Sequence, residues 1–337
     1  MRKITVGLLI ACVPFAASSH HSVRAFYDDQ NIRQLEGTIT GIRWINPHIH
    51  FELQRINDNG ETELWDVESG SINFLERDGI SRDDLAVGTE VTVTGYTSRH
   101  GHQSMVASYV TLDNGEDIVL WPGLFGGGTA AGLGRRPAPG VPDSVDNDSR
   151  SLFRVWSVGP DSAGRDGAVL ALPLRPEARA AQDAYDPLTD DTALSCIPQG
   201  MPGIMDNPFP IEFEDRGSEI IIRTEEWDVV RTIHIGGDSD AANQPATPHG
   251  YSVGRWEGDT LVIETTNIDW PYFDDVGTPM SSEVETVERY MLSADGQRLD
   301  MEMTVTDPLT FTAPVHLTGA NWVLVPGEQI KPYECAL

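Results

Sequence analysis

The stretch HGYSVGRWEGDTLVIETTNIDW, residues 249–270, predicts a β-hairpin and sets the fold class expected for the larger part of the chain. Side-chain polarity alternates over 251–255 and again over 261–266, which is the period of a strand. The residues between them, Trp256-Glu257-Gly258-Asp259, have the chemistry of a tight turn. The two strands are therefore expected to pair antiparallel.

A carboxylate interrupts the apolar face of the second strand of this hairpin. Glu264 shares its face with Val262, because residues two apart on a strand point the same way. A carboxylate is costly to bury unless it is paired or protonated. Two explanations stay open. One is an ion pair with Arg255 across the hairpin, or a face open to water; the other is an acid or base in a pocket.

Further runs with strand periodicity lie at short spacing around the hairpin, at 211–214, 219–224, 226–235, 283–293, 298–307 and 315–325. Consecutive hairpins without a long crossover close most simply as an up-and-down barrel. Residues 151–337 are therefore expected to form an antiparallel domain, either a lipocalin-like barrel or a sandwich.

The residues before this domain predict a smaller β fold. Five alternating runs lie between Glu36 and Leu112, and a short helix capped by Ser71 falls between the third and the fourth. This order is typical of an OB-fold barrel, with a five-stranded meander as the alternative. The chain is thus expected to be mainly β, with an OB-like five-stranded barrel over 20–120. Residues 121–150 are expected to be a linker, since 11 of residues 122–142 are Gly or Pro.

The first residues predict export from the cytoplasm. Arg2 and Lys3 precede an apolar run over 4–15 and then small residues, as in a signal peptide covering 1–19. Cleavage after it would leave His20 first. A lipobox before Cys12 is the alternative, and it would tether a lipidated protein to a membrane. The expected location is periplasmic or secreted.

Two cysteines remain after removal of such a signal, Cys196 and Cys335. In an oxidising compartment an even pair predicts one disulfide. A reactive thiol at Cys196 is the alternative.

The formal net charge of −29 bears on the kind of partner. A field of this sign repels nucleic acid backbones and anionic lipid. No nucleic acid partner is expected, and membrane contact is expected only through a lipidated Cys12.

Several segments resemble protein families without an assigned activity. The hairpin, together with DPLTDDTALSCIPQGMPGIMDNPFPIEF, EEWDVVRTIHI and VETVERY, resembles exported bacterial proteins of unknown function over about residues 185–312. Over about residues 20–120, HHS, WINPHIHFEL and LAVGTEVTVTGY resemble a small secreted domain family. Neither resemblance implies a reaction.

Six of the nine histidines lie in the first 102 residues, as the pairs His20-His21, His48-x-His50 and His100-x-His102. Neutral imidazoles suit copper or zinc, and a free amine at His20 would add a nitrogen ligand. Of these histidines, only His20, His21 and His48 match the family that this part of the chain resembles. A metal site common to that family would therefore use these three. Ordinary polar side chains that bind nothing are the alternative.

The second domain carries the residues of the leading functional hypothesis, which is binding of an apolar small molecule. Its conversion by cofactor-free acid/base chemistry (hydration, cyclisation, isomerisation or hydrolysis) would use Glu264, His234, Asp259 and Glu283. The expected substrate-binding residues are Trp227, Arg231, Tyr251, Arg255, Trp256, Trp270 and Tyr272. Aromatic residues at strand spacing are otherwise core.

No H-E-x-x-H, G-x-G-x-x-G or G-x-x-x-x-G-K-[ST] pattern occurs in the chain, so zincin, dinucleotide and P-loop chemistry have no local support. The G-x-S-x-G pattern occurs as GYSVG at 250–254, but it lies in the first predicted strand of the hairpin rather than on the strand-to-helix turn that a serine nucleophile needs. A non-enzymatic envelope or partner-binding protein is the third hypothesis.

Overall fold

The computed structural model describes residues 23–121, 124, 151–158, 172–206, 208–236 and 243–336. They form a six-stranded sheet and a closed nine-stranded barrel, which confirms the mainly β class. Within these residues no helix is both long and apolar enough to span a membrane. The predicted signal and almost all of the predicted linker lie outside the described residues, and the predicted domain boundaries stay predictions.

The N-terminal elements follow the predicted order of strands and helix. They are α1 (Val23–Phe26), β1 (Tyr27–Arg43), β2 (His50–Ile56), β3 (Thr62–Glu68), α2 (Ile72–Arg77), β4 (Glu90–Ser98), β5 (Ser104–Leu112) and β6 (Asp117–Val119), with a 3-10 turn over Arg82–Leu85. Ser71 caps α2, since its side chain accepts a hydrogen bond from the Phe74 amide.

The first five strands close into a ring. β1 pairs antiparallel with β2 and β4, β2 pairs with β3, and β4 pairs with β5. A parallel pairing of β3 with β5, with Val67 opposite Met105, completes the ring. This is the strand order of an OB-fold, and we call residues 27–112 the OB-like ring.

The barrel is built from nine strands and begins near residue 155. The strands are β7 (Val155–Val158), β8 (Ile211–Asp215), β9 (Glu219–Thr224), β10 (Val230–Ile235), β11 (Tyr251–Glu257), β12 (Thr260–Thr266), β13 (Glu285–Leu292), β14 (Arg298–Thr306) and β15 (Val315–Val323). Helix α3 (Pro176–Asp183) precedes β8. β11 and β12 pair antiparallel over their full length, as the opening hairpin predicts.

One seam of the barrel departs from the predicted up-and-down arrangement. β10 and β11 run parallel, with Ile233 opposite Ser252, whereas the other neighbouring strands are antiparallel. A parallel pair needs a connection that returns to the starting end of the sheet, and residues 236–250 supply it. The expectation of no long crossover is wrong here, because alternation within strands does not report their direction.

The interior of the barrel is filled by the side chains of its own strands, in the place where a lipocalin-like barrel would have a cavity. Alternate strand positions point inward and form one buried cluster, which includes Trp156, Phe213, Ile222, Ile233, Ile263, Tyr290 and Met301. The surface pocket described below lies outside this packed interior.

The barrel interior also holds a buried ion pair. Arg231 on β10 and Glu288 on β13 have fully buried side chains, and their two hydrogen bonds measure 3.0 Å and 2.6 Å. Tyr290 donates to Glu288 at 2.7 Å, and Arg231 donates to Ser252 and Thr265 at 3.4 Å and 3.3 Å. Burial is the largest single effect and acts to lower the pKa of Arg231, but the charge and hydrogen bonds of Glu288, together with the contribution of Tyr290, raise that pKa overall.

Replacing one partner of this pair should destabilise the barrel strongly. Arg231→Ala leaves the Glu288 carboxylate buried without a countercharge, so we expect a loss of about 3–5 kcal/mol in the free energy of unfolding. The double replacement Arg231→Met/Glu288→Leu removes both charges and should cost much less. Chemical denaturation followed by circular dichroism measures both. Arg255→Ala, from an exposed ion pair, is the matched control and should change stability by about 0–1 kcal/mol; an equally mild Arg231→Ala would contradict the prediction.

Helix α2 joins the OB-like ring to the barrel. Arg77 donates to both carboxylate oxygens of Glu225, which follows β9 and is fully buried. Asn73 donates to Glu225 at 2.9 Å, and the Phe74 ring stacks on Phe209 with centroids 4.4 Å apart. The junction is thus a charged pair enclosed by apolar contacts.

The residues after β15 complete this junction, and we call residues 328–336 the C-terminal tail. Cys335 in the tail forms a disulfide with Cys196, with the Cα atoms 5.9 Å apart, which confirms the predicted pairing. A reactive free thiol at Cys196 is therefore wrong for this state of the protein.

Candidate functional site

A surface pocket lies beside the barrel between two connections of the chain. The connection from α3 to β8 contributes Tyr185, Asp191, Thr192, Gln199 and Gly203, and the connection from β12 to β13 contributes Trp270, Tyr272, Phe273, Asp274 and Asp275. Two of these, Trp270 and Tyr272, were predicted to bind substrate. The pocket is the place where the structure brings predicted binding residues together.

Two glycines allow the pocket walls to approach each other. A β-carbon at Gly277 would overlap the Tyr185 ring, and Gly277 also has a positive φ of 76°, which other residues rarely adopt. A β-carbon at Gly200 would overlap the Trp270 ring. The aromatic walls therefore depend on positions without side chains.

The rings of the pocket are held by contacts with one another. Tyr185 and Tyr272 meet edge to face, with centroids 5.1 Å apart at an angle of 73°. Phe273 packs in the same manner against Phe311, with centroids 5.4 Å apart. Side chains fixed in this way offer a preformed aromatic surface.

The electrostatic character of the pocket is acidic. Asp191, Asp274 and Asp275 line it, and its described lining residues include no Lys, Arg or His. Burial raises the pKa of Tyr185, and the negative charges of nearby carboxylates, Asp191 first, raise it further. The same two causes raise the pKa of Tyr272. Both phenols therefore stay protonated and remain hydrogen-bond donors.

Asp274 is held in place by its own loop. One oxygen accepts from the amides of Thr278 at 2.9 Å and Val276 at 3.3 Å, and the other accepts from the Thr278 hydroxyl at 2.7 Å. Burial nevertheless raises the pKa of Asp274. This carboxyl group therefore shapes the loop, whereas Asp191 is buried and caps the 3-10 turn Thr192–Ser195, and Asp275 is exposed.

His249 is hydrogen-bonded to the backbone of a residue that lines the pocket. Its Nε2–H donates to the carbonyl of Gln199, a lining residue, at 3.1 Å. Burial lowers the pKa of His249 from its ordinary 6.5, the hydrogen bond to Gln199 opposes this, and the Arg231 charge adds to the lowering. The neutral ring is therefore the folded form near neutral pH.

Acid should weaken the protein partly through His249. Because its folded pKa lies below 6.5, the unfolded chain takes up the proton first, and stability falls as pH drops below about 6.5. We expect the difference in Tm between pH 7.5 and pH 5.5 to be smaller in His249→Gln than in wild type. Thermal unfolding across this pH range measures it, and equal differences would contradict the assignment.

The four predicted acid/base residues are not brought together. Asp259 and Glu283 are exposed, and His234 stacks on Tyr251 at 4.8 Å and lies 3.4 Å from Glu219 on the outer face of the barrel. The Glu264 side chain is 54% exposed and forms an ion pair with Arg255. The prediction that Glu264 is an acid in a pocket is wrong, because its side chain is exposed to solvent on the barrel surface and is paired with Arg255.

The other predicted substrate-binding residues lie apart from the pocket. Arg231 is inside the barrel, Arg255 and Trp256 are exposed on the hairpin, and Tyr251 packs on His234. Trp227 is buried at the junction, where its ring lies 5.2 Å from that of Tyr333.

Of the predicted metal ligands, His48 is described and His20 and His21 lie outside the described residues. His48 is buried, and its Nδ1–H donates to the Ser69 carbonyl at 2.8 Å. Its Nδ1 lies 3.6 Å from the Glu68 carboxylate, and its ring stacks on Trp121 with centroids 4.9 Å apart. Within the described part of the chain, no three His, Cys, Asp or Glu residues are grouped to hold a metal ion.

Sequence reasoning missed most of the pocket lining. Tyr185, Asp191, Thr192 and Gln199 lie on loops, where no periodicity reports the direction of a side chain. The last three lie in the segment DPLTDDTALSCIPQG, residues 186–200, which belongs to the predicted resemblance and has no strand pattern; Tyr185 directly precedes it.

The fold and pocket define a β protein with an OB-like ring, a filled barrel and an acidic aromatic pocket. Residues 8–107 match the model of a Family of unknown function (DUF6152), which confirms the resemblance of this part to a family without an assigned activity. No curated protein matches the chain. The resemblance over residues 185–312 stays a prediction.

Proposed function

We propose that this chain is an exported binding protein that takes up a small molecule in the pocket beside the barrel. The observation that carries the proposal is the lining, which combines the rings of Tyr185, Trp270, Tyr272 and Phe273 with carboxylates. Ligand pockets are typically concave aromatic surfaces with a few polar groups that fix orientation.

The negative charge of the pocket lining indicates which class of ligand the pocket would bind. Aromatic faces and carboxylates both attract cations, whereas a chain with a net charge of −29 repels anions. The proposed ligand has an apolar or aromatic body and a positively charged group. The phenols of Tyr185 and Tyr272 can donate hydrogen bonds to it.

The proposal concerns binding rather than conversion. Glu264, Asp259 and Glu283 are exposed side chains away from the pocket, so they do not offer an acid/base pair to a ligand there. Asp274 has both carboxylate oxygens hydrogen-bonded within its own loop, so it does not offer such a pair either.

Export is part of the proposal. The disulfide between Cys196 and Cys335 is consistent with a periplasmic or extracellular location. The basic residues and apolar run at the N-terminus, read as a signal peptide, support the same location.

Three probes that differ only in charge test the binding site. Tyramine, 4-ethylphenol and 4-hydroxyphenylacetate share an aromatic body and carry a cation, no charge and an anion. We expect calorimetry to rank their affinities in that order. Tyr272→Ala should weaken tyramine binding about tenfold, which corresponds to about 1.4 kcal/mol, and Asp275→Asn should reduce the preference for the cation.

The control for this experiment is Trp256→Ala. Trp256 is also an exposed aromatic residue predicted to bind substrate, but it lies on the hairpin outside the pocket. It should leave all three affinities unchanged. Equal binding of the three probes, or insensitivity to Tyr272→Ala, would contradict the proposal.

Copper or zinc binding near His48 is a second candidate function. The hydrogen bond from Nδ1 to the Ser69 carbonyl places the lone pair of the neutral ring on Nε2, as in histidines that bind metals. Glu68 is a buried carboxylate beside it, and we propose His20 and His21 as further ligands.

Metal content of the protein from its exported fraction tests this candidate. Mass spectrometry of the intact chain, with elemental analysis, should show about one copper or zinc ion in wild type and a loss in His48→Ala and His20→Ala. His316→Ala changes an exposed histidine and should retain the metal. Equal content in wild type and His48→Ala would remove the candidate.

A further inference from the structure

The C-terminal tail lies between the OB-like ring and the barrel and contacts both. On the ring side, Asn46 donates to the Tyr333 carbonyl and accepts from the Ala336 amide at 3.0 Å through its own carbonyl. Glu328 accepts from Arg77 at 2.9 Å. The tail therefore holds the loop before β2 and helix α2 by directional contacts.

On the barrel side, the tail is bound by carboxylates of the EEWD segment, residues 225–228. The Lys331 amide donates to Glu225 at 2.8 Å, and the Tyr333 amide donates to Asp228 at 3.1 Å. Trp227 and Asp228 have positive φ values of 61° and 54°, a conformation that turns this short segment toward the tail.

The disulfide fastens this tail to a loop of the candidate pocket. Cys196 follows the 3-10 turn Thr192–Ser195, and Thr192 and Gln199 on either side of it line the pocket. Both cysteines are partly exposed. One bond thus links the position of the tail to the order of the pocket loop, across 139 residues of chain.

We propose that Cys196–Cys335 is a redox-modification site that controls how tightly the OB-like ring docks on the barrel. A thiolate of a dithiol oxidoreductase attacks one sulfur, the S–S bond breaks, and a mixed disulfide forms. The second thiol of the donor then attacks the mixed disulfide and displaces the cysteine that is still bound in it. Two electrons and two protons pass to Cys196 and Cys335, and the donor becomes a disulfide.

Reduction leaves the tail held by hydrogen bonds and ion pairs alone, and it frees the pocket loop from the tail. The barrel strands pair in a closed ring to which the tail contributes no strand. Tyr333 of the tail belongs to the buried cluster of the barrel, but the hydrogen bond from its amide to Asp228 stays in place after reduction. Reduction should therefore loosen the junction and the loop while the barrel stays folded.

Hydrogen–deuterium exchange of the full chain tests this proposal without any ligand. We expect treatment with a dithiol reductant to raise exchange about tenfold or more in three segments, the tail, residues 192–200 and helix α2. Strands β12 to β14 should keep their protection. Cys335→Ser should show the same pattern without reductant and no further response to it.

Two outcomes would overturn the proposal. Unchanged exchange in α2 after confirmed reduction would mean that the bond does not control docking. Loss of protection across β12 to β14 would mean that it holds the barrel together and is a structural link. Asn46→Ala keeps the disulfide but removes the side-chain hydrogen bonds of Asn46 to Tyr333 of the tail and to Ile72 and Asn73 of α2. It should loosen α2 while leaving residues 192–200 protected, which would show that the order of the pocket loop depends on the disulfide and not on α2.

Discussion

The ion pair between Arg231 and Glu288 is the contact on which the barrel depends. Two charges removed from water are tolerated only when each is matched and hydrogen-bonded, and Ser252, Thr265 and Tyr290 complete that requirement. These residues lie on four consecutive strands, β10 to β13, so the network fixes their register across the parallel seam. The segments EEWDVVRTIHI and VETVERY, which carry the resemblance, supply its two charges. These two charged residues therefore have a structural role in this protein, and their presence does not by itself indicate catalysis.

The alternation of polar and apolar residues predicted the strands and the OB-like ring, because it indicates which residues share a face of a strand. It does not indicate how much of that face is buried by the rest of the protein: Val262 is buried, whereas the side chain of Glu264, two residues later, is 54% exposed. It also did not report strand direction, which is why the parallel pair of β10 and β11 was missed. The disulfide followed from the cysteine count. The pocket did not follow, because its walls are loops brought together by close approaches at Gly200 and Gly277.

The junction gives the EEWD segment a structural role as well. The EEWD segment binds helix α2 through Glu225 and the tail through Asp228, and its tryptophan packs on Tyr333. Trp227, predicted to bind substrate, is thus an apolar contact at the junction. The aromatic residues that do line the pocket, Trp270 and Tyr272, belong to the same predicted group, so residue type alone did not separate the two roles.

The contacts of the junction also determine the order in which the parts of the protein can fold and dock. Asn46 meets Tyr333 across 287 residues, and Arg77 meets Glu225 across 148 and Glu328 across 251. The OB-like ring is made of local pairings that can form as soon as its own strands have been synthesised, but its docking face has no partner until the barrel and tail have followed. During that interval the Arg77 side chain stays hydrated, and its transfer out of water is deferred to the final step. A newly made ring therefore presents to chaperones a surface that the finished protein conceals.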